Sequence, residues 1–453
     1  MELDVRVGGR RCGEVVRKTS KTDREYITLS KCEVKKATNQ PLEHEGINTD
    51  FIESLIIKYF PKLRKPVVKN LAGVTMAFIN VLEGLRSGEG KITLGSIARG
   101  LPIGGSFKIL YQRLRRFLNN RFLDSGALTE GLINMLMGQG ARGMVPVIVD
   151  ETKVSFVCVI LGGIAFAGRV LPLGILTYTN KQIRDEPEKV KSRNYLETLF
   201  VMRVMEAFPR ELTPVFIFDR GYARVRLIKE LLSSGKALFL LRAPKNVVIT
   251  QRKGNRVIHT QLRKIKVEEN HPIRLNRVIY KKTGGVEVDI VIYKDKEFEE
   301  TWYLVLPPGS KKILPTNKVI ELYRSRMRVE QAFRDYKHHL GVRGLRLVVN
   351  PPERLGKLLQ GFILAYIITV AIGETKAGYA ARERFETPRK KPRHGTKRIL
   401  SSFRIGSFLI SGALFSAGFV SIQLKEIILK TIEKLKYYLL FFGDGLYFII
   451  DKL

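Results

Sequence analysis

The chain has 453 residues, more than a single hydrophobic core organises, so about two to four domains are expected. Its 79 Lys and Arg against 43 Asp and Glu leave a net charge of +36, which calls for a polyanionic partner, nucleic acid first and an anionic membrane surface second. Three scattered cysteines, Cys12, Cys32 and Cys158, exclude a disulfide framework and a zinc knuckle and fit a reducing, cytoplasmic compartment, and the polar opening residues lack the apolar run of a secretory signal.

Residues 47–140 read as helical. Apolar positions recur at helical spacing over residues 51–60, and again over 67–85 after Pro66. Residues 92–101 form a short amphipathic segment, 102–105 a turn, and 106–119 (SFKILYQRLRRFLN) a helix bearing Arg113, Arg115 and Arg116. A short helix, a Gly-containing turn and a basic helix is the pattern of a helix-turn-helix reader of the major groove. Two packed helices with a solvated basic face would give the same sequence, and the overall charge favours DNA.

From Met144 the texture changes to short Val-, Ile- and Leu-rich runs punctuated by Gly and Pro. Strands are expected over 145–149, 156–166 and 170–178, a helix over 192–208, a strand over 214–218, a helix over 223–233 and a strand over 237–241. Three sequential strands followed by helix, strand, helix, strand is the order of a ribonuclease H-like α/β fold with a mixed sheet. Residues 242–301 alternate Val/Ile with charge, as in 247–250, 256–260 and 286–293, and read as a mostly β insertion. The chain returns through a strand at 302–306 and a long helix over 317–339. After Pro351 and Pro352 an apolar helix runs to about Gly373, and the basic stretch 382–398, with Pro388 and Pro392, reads as a linker or DNA-tracking segment. The apolar stretches 361–373 and 406–420 fall short of the roughly 20 residues of a bilayer span and are expected to be buried, with no membrane contact.

The division that follows is a helical region (1–140), an α/β core in two parts (141–242 and 302–375) interrupted by the β insertion (243–301), and a basic linker with a helical carboxyl-terminal region (376–453).

Asp150 ends the run VPVIV and Asp219 ends PVFIF, each at the carboxyl edge of an expected strand, where ligand sites of open α/β sheets gather. Either one alone could simply start a turn. On the helix over 317–339, Tyr323, Arg326, Glu330 and Lys337 fall within roughly 60° of one another at about 100° per residue, and Arg334 points the same way. A solvated charged stripe is the ordinary explanation; Leu322, Met327, Val329 and Phe333 around the same turns argue for a packed one.

The spacing Tyr323-x2-Arg326-x3-Glu330-x6-Lys337 resembles the YREK signature of DDE-type insertion-sequence transposases, in the family numbered four of that classification. Asp150 in IVDET and Asp219 in FDRGY resemble the first and second catalytic aspartates of that family, and ARGLP and YQRLRRFL its DNA-binding region. The resemblance covers about residues 92–372. It implies a metal-dependent transposase with Asp150, Asp219 and Glu330 as catalytic triad, acting on double-stranded DNA, both terminal inverted repeats and target, as a homodimer in the DNA complex. Phosphodiester cleavage at neutral pH is served by two metal ions about 4 Å apart, and oxygen-only ligands favour Mg²⁺ or Mn²⁺. Asp150 would bridge the ions, Asp219 and Glu330 would each complete one site, and Arg326, Lys337 and Tyr323 would hold phosphates. In this branch a tryptophan at the place of Trp302 stacks on a flipped base during hairpin closure; a core aromatic opening a strand is the other reading. His338 and His339 lack a metal-spaced partner and receive no role. Two alternatives stay open: a ribonuclease H-like nuclease that cuts without joining, and a transposase-derived DNA-binding protein without catalysis.

Overall fold

In the computed structural model, residues 47–86, 92–137, 141–166, 168–296, 299–327, 329–330, 352–386 and 400–410 are described. The first of these are helical, as their periodicity requires. Helix α1 (Thr49–Tyr59) starts where the Asn48 side chain accepts a hydrogen bond from the Phe51 amide at 2.9 Å, and it buries Phe51, Ile52, Leu55, Ile56 and Tyr59 along one stripe. Helix α2 (Lys65–Arg86) follows, with Pro66 in its first turn, where a missing amide costs nothing. Helix α3 (Leu94–Arg99) is closed at its start by a reciprocal Thr93–Ser96 capping box. The turn to α4 (Phe107–Leu118) uses Gly105 at φ +134°, a conformation that a side chain would resist. Helix α5 (Ser125–Met137) completes this part.

Strands β1 (Gly143–Val154), β2 (Val157–Phe166) and β3 (Arg169–Tyr178) form an antiparallel meander. Two short helices, α6 (Asn180–Asp185) and α7 (Pro187–Val190), lead to α8 (Arg193–Glu206), whose cap is Ser192. They are too short for a periodicity to register in sequence. Strand β4 (Leu212–Phe218), helix α9 (Val225–Ser234) and strand β5 (Leu238–Arg242) continue the chain, with Gly235 in the left-handed region ending α9. Strands β6 (Val248–Lys253), β7 (Arg256–Gln261), β8 (Ile273–Tyr280), β9 (Val286–Tyr293) and β10 (Trp302–Leu306) follow. All belong to one ten-stranded sheet in the order β3-β2-β1-β4-β5-β10-β9-β8-β6-β7, with β1, β4 and β5 parallel and every other pairing antiparallel.

The order β3-β2-β1-β4-β5 is that of the ribonuclease H-like fold expected from the element sequence. The insertion does not stand apart from it: β6 to β9 extend the same sheet through β10, which pairs with β5 on one side and β9 on the other. Strand β8 was not legible in sequence. Its register shifts between Leu275 and Val278, and Arg277 there has φ 50°, so a bulge breaks the alternation that reveals a strand.

Helix α10 (Thr316–Ser325) precedes the last described helices, α11 (Pro352–Gly373), α12 (Lys376–Phe385) and α13 (Ser402–Ile410). Helix α11 spans the 22 residues expected after Pro351, and among the described residues it is the one helix long and apolar enough to cross a membrane. It is instead enclosed, packed against α2, β3 and α13. The basic stretch expected as a linker begins inside a helix: Arg382 on α12 is buried and donates to the Leu400 carbonyl at 2.7 Å, and residues 387–399 lie outside the described residues. So do residues 1–46, 331–351 and 411–453, which hold Arg334, Lys337, the end of the expected helix over 317–339 and most of the apolar stretch 406–420.

Helices α11 and α13 cross at glycines. A Cβ on Gly406 would stand 1.8 Å from the Thr369 carbonyl oxygen, and one on Gly373 would stand 1.8 Å from that of Ser402. Gly406→Val is therefore expected to cost about 3 kcal/mol, the upper end of overpacking, because backbone rather than a mobile side chain must give way. Chemical denaturation measures it; a midpoint within error of the parent chain would mean that the crossing is not as close as described.

Candidate active site

The site begins with register. The parallel pairing of β1 with β4 runs from Gly143 opposite Leu212 to Val149 opposite Phe218. The next residue on each strand is an aspartate, so Asp150 and Asp219 leave the parallel pair side by side at its carboxyl end. Asp219 does end its strand, capping the single turn Arg220–Tyr222. Asp150 does not: β1 continues to Val154, because residues 150–154 pair in a hairpin with β2. The sequence reading placed that strand end early, since the switch from apolar to charged residues at Asp150 marks the end of the parallel partner and not of the strand.

A single cation spans the two carboxylates. Arg326 places Nη1 3.0 Å from Asp150 Oδ2 and Nη2 3.8 Å from Asp219 Oδ1. The Asp150 Oδ1 atom accepts from the Glu151 amide at 2.8 Å. Burial raises the Asp150 pKa, against the lowering influence of Arg326, and the Asp219 charge pushes it further up. Asp219 Oδ1 is buried and has no hydrogen-bond partner among the described residues.

Arg326 reaches this position because the helix ends before it. One continuous helix over 317–339 was expected, yet α10 stops at Ser325. The chain then tightens: the amides of Arg326, Met327 and Val329 donate to the carbonyls three residues back, at 3.0, 3.2 and 3.0 Å. Arg326 is buried there, three residues after the equally buried Tyr323, and Glu330 is exposed. Glu330 nevertheless stays within electrostatic reach of Arg326, whose pKa its charge helps to raise. Among the described residues no three His, Cys, Asp or Glu side chains are grouped to hold a metal ion. The two aspartates alone still fit a hard divalent cation: the donors are oxygens, one of them is buried without a hydrogen-bond partner, and a guanidinium supplies the positive charge between them.

Tyr323, expected to donate to a phosphate, is buried on α10, and burial pushes its pKa up to about 12. Its hydroxyl has no hydrogen-bond partner among the described residues. Of the two readings of Trp302, the packing favours the core aromatic: it is 3% exposed, with the Tyr323 ring edge-on at 5.0 Å and the Tyr293 ring at 5.9 Å. The strand opening at Trp302 faces β9 and α10, which is why the ring is covered.

Sequence reasoning missed a charged network on the other side of β1, where the period-two alternation sends Glu151 away from Asp150. The Tyr178 hydroxyl donates to Glu151 Oε2 at 2.6 Å, and Arg193 Nε lies 3.2 Å from the same oxygen and 2.9 Å from Glu197 Oε1. Glu197 is fully buried and also pairs with Arg224, five residues after Asp219. Burial raises the Glu197 pKa despite both arginines. The network ties β1, β3, α8 and the segment after Asp219 together, so it fixes how the two aspartate-bearing strand ends sit. The i, i+4 spacing of Arg193 and Glu197 was its sole trace in sequence, and surface helices share it.

Arg113, Arg115 and Arg116 are all exposed, on α4 and not at the aspartates. They are not one cluster: at about 100° per residue Arg113 and Arg115 lie on opposite flanks of the helix, with Arg116 between them.

Residues 178–349 match the family model of the transposase DDE domain. The match takes in Asp219, Tyr323, Arg326 and Glu330, and begins after Asp150. No curated protein matches the chain. Over that stretch the chain is similar to the catalytic domain of transposases, enzymes that act on DNA with divalent metal ions.

Proposed function

We propose that the chain is a transposase that moves a DNA element by cut and paste, nicking the element's ends, closing and reopening a hairpin there, and joining the freed 3′-hydroxyl to target DNA. The observation that carries the reading is the pair Asp150 and Asp219, set side by side by strand register and bridged by Arg326 from a segment more than a hundred residues away. The YREK branch is the best fit to the spacing of Tyr323, Arg326, Glu330 and Lys337.

Two divalent ions, Mg²⁺ or Mn²⁺, held by Asp150, Asp219 and Glu330 would supply an activated nucleophile and charge stabilisation on the leaving oxygen. Asp150, the more enclosed of the two aspartates, would be a ligand together with Asp219. Arg326 holds the scissile strand's phosphate once it leaves the carboxylates, joined by Lys337 and Arg334. Tyr323 positions Arg326 from below, and Glu330 swings in from its exposed position. Residues 1–140 bind the element's terminal inverted repeats through α3 and α4, and the carboxyl-terminal region pairs two copies on DNA, in the cytoplasm at the nucleoid.

The deciding experiment uses the full chain with Mg²⁺ and a linear duplex whose ends carry the inverted repeats flanking its gene. Nicks at both ends followed by joined products support the reading. Cutting without joining assigns a nuclease, and end binding without cutting assigns a DNA-binding protein.

End binding is expected to fall steeply with salt, with a log–log slope of about −0.9 per phosphate contacted. Replacing Arg113, Arg115 and Arg116 together by Ala should flatten that slope by about two to three units and leave the metal requirement unchanged. A titration at several salt concentrations reads this directly; an unaltered slope moves the DNA reader out of α4.

A further inference from the structure

We propose that the outer crest of α4 selects adjacent A·T base pairs, with Ile109 seated on a thymine methyl group and Gln112 paired to adenine. The inference rests on the reading of α3 and α4 as the DNA-end reader and names what that reader recognises.

Helix α4 buries Leu110, Leu114, Phe117 and Leu118 on one face. At about 100° per residue the opposite crest carries Lys108, Ile109, Gln112 and Arg116, all exposed. An exposed isoleucine in that row is out of place, and it is not alone. Ile103 is 37% exposed, Phe107 45% and Ile109 54%, so three large apolar side chains gather where the turn enters the helix. The arrangement is held in place. The Ile109 side chain lies against the turn, its Cγ2 3.5 Å from where a Cβ on Gly105 would stand, and the Arg99 guanidinium stacks over the Phe107 ring at 4.5 Å.

Charge chooses the occupant. Residues 90–123 contain no Asp or Glu, Arg99 covers Phe107, and the exposed residues of α4 beside the apolar group include Lys108, Arg113 and Arg116. An apolar surface in a purely cationic frame suits a partner that is anionic outside and apolar at one spot within. The major groove of duplex DNA is such a partner, because the thymine methyl is the apolar group on its floor and phosphates line its rims. Position agrees with chemistry, since residues near the start of the second helix of such a pair meet base edges. A glutamine amide matches the N6 and N7 edge of adenine with two hydrogen bonds. Ile109 and Gln112 are three residues apart, about 4.5 Å along the axis, close to the roughly 3.4 Å step between base pairs. The two side chains therefore reach neighbouring pairs.

The test is selection by the full chain from a pool of random-sequence duplexes, followed by affinity measurements on the enriched duplex and on the same duplex made with deoxyuridine in place of thymine. The enriched duplexes should share adjacent A·T pairs. Loss of each contacted methyl should weaken binding about fourfold, while Ile109→Ala binds the two duplexes equally and Gln112→Ala loses the preference for adenine but keeps that for the methyl. Equal affinity of the parent chain for both duplexes, while the triple arginine variant still binds more weakly, overturns this inference and leaves the DNA reader in α4. Parent-like binding by the triple variant removes the reader from α4, and this inference with it. Ile109→Ala altering the oligomeric state by gel filtration, with discrimination intact, assigns the crest to protein contact and also overturns it.

Discussion

Asp150→Asn and Asp219→Asn are each expected to abolish strand cutting, by about a thousandfold or more, equivalent to roughly 4 kcal/mol in the barrier, while end binding stays near its parent value. Both substitutions remove a charged oxygen donor and almost no volume. Glu330→Gln should do the same, and it is the sharper trial, because Glu330 stands exposed and is not grouped with the aspartates among the described residues. Cutting on end-labelled duplexes at normal rate by any of the three removes that residue from the triad. Asp150→Asn carries a second signature. Burial raises the pKa of Asp150 above its ordinary 3.8, so its contribution to stability is full below that value and is lost as pH rises through the raised one. The asparagine variant, free of this loss, should match the parent in acid and exceed it in thermal stability near neutral pH without metal. Higher stability of the parent at neutral pH would mean that Arg326 outweighs burial.

Arg326→Ala should have the second large effect and divide metal from protein. With the guanidinium gone, two partly buried carboxylates face each other uncompensated. The expected loss is about 2–3 kcal/mol in metal-free buffer, less than for a fully enclosed pair because Asp219 keeps a third of its side chain in water. Divalent ions should restore it. In the parent chain a metal must displace Arg326 before it can bind, whereas in the variant the site is open, so Mg²⁺ should raise the melting temperature more in the variant than in the parent. Thermal unfolding with and without Mg²⁺ measures both. An equal or smaller metal response in the variant would show that Arg326 does not occupy the metal's place.

Much of this could be read from sequence for a definite reason. The strands around Asp150 and Asp219 are buried on both faces, so their Val, Ile, Leu and Phe runs stand out against a basic chain, and the element order then implies the sheet order. Arg326 was legible as a site residue, but its pairing with both aspartates was not. Spacing assumes a regular helix, and it encodes neither the tightened turn after Ser325 nor the ion pair with Asp150. Trp302 left two readings open in sequence, a base-stacking indole and a core aromatic, because what surrounds it is decided by Tyr293 and Tyr323, brought there from other elements. The network of Glu151, Arg193, Glu197 and Arg224 was invisible because each member looks ordinary until three elements meet.

The chain leaves the ribonuclease H-like core at Arg242 and returns at Leu304, and these two residues are partners in the β5–β10 pairing. Exit and re-entry are thus already joined, whatever lies between. Loop closure grows only slowly with length, about 0.6 kcal/mol for each doubling, so the intervening sequence is thermodynamically cheap to lengthen, trim or exchange over generations. Asp219 and Arg326 lie on either side of that doorway, but α10, which leads to Arg326, leans on the insertion: Arg324 pairs with Asp295 and donates to the Tyr293 hydroxyl at 3.0 Å. The freedom to change therefore belongs to the outer strands β6 to β8 and not to the end of β9 beside α10.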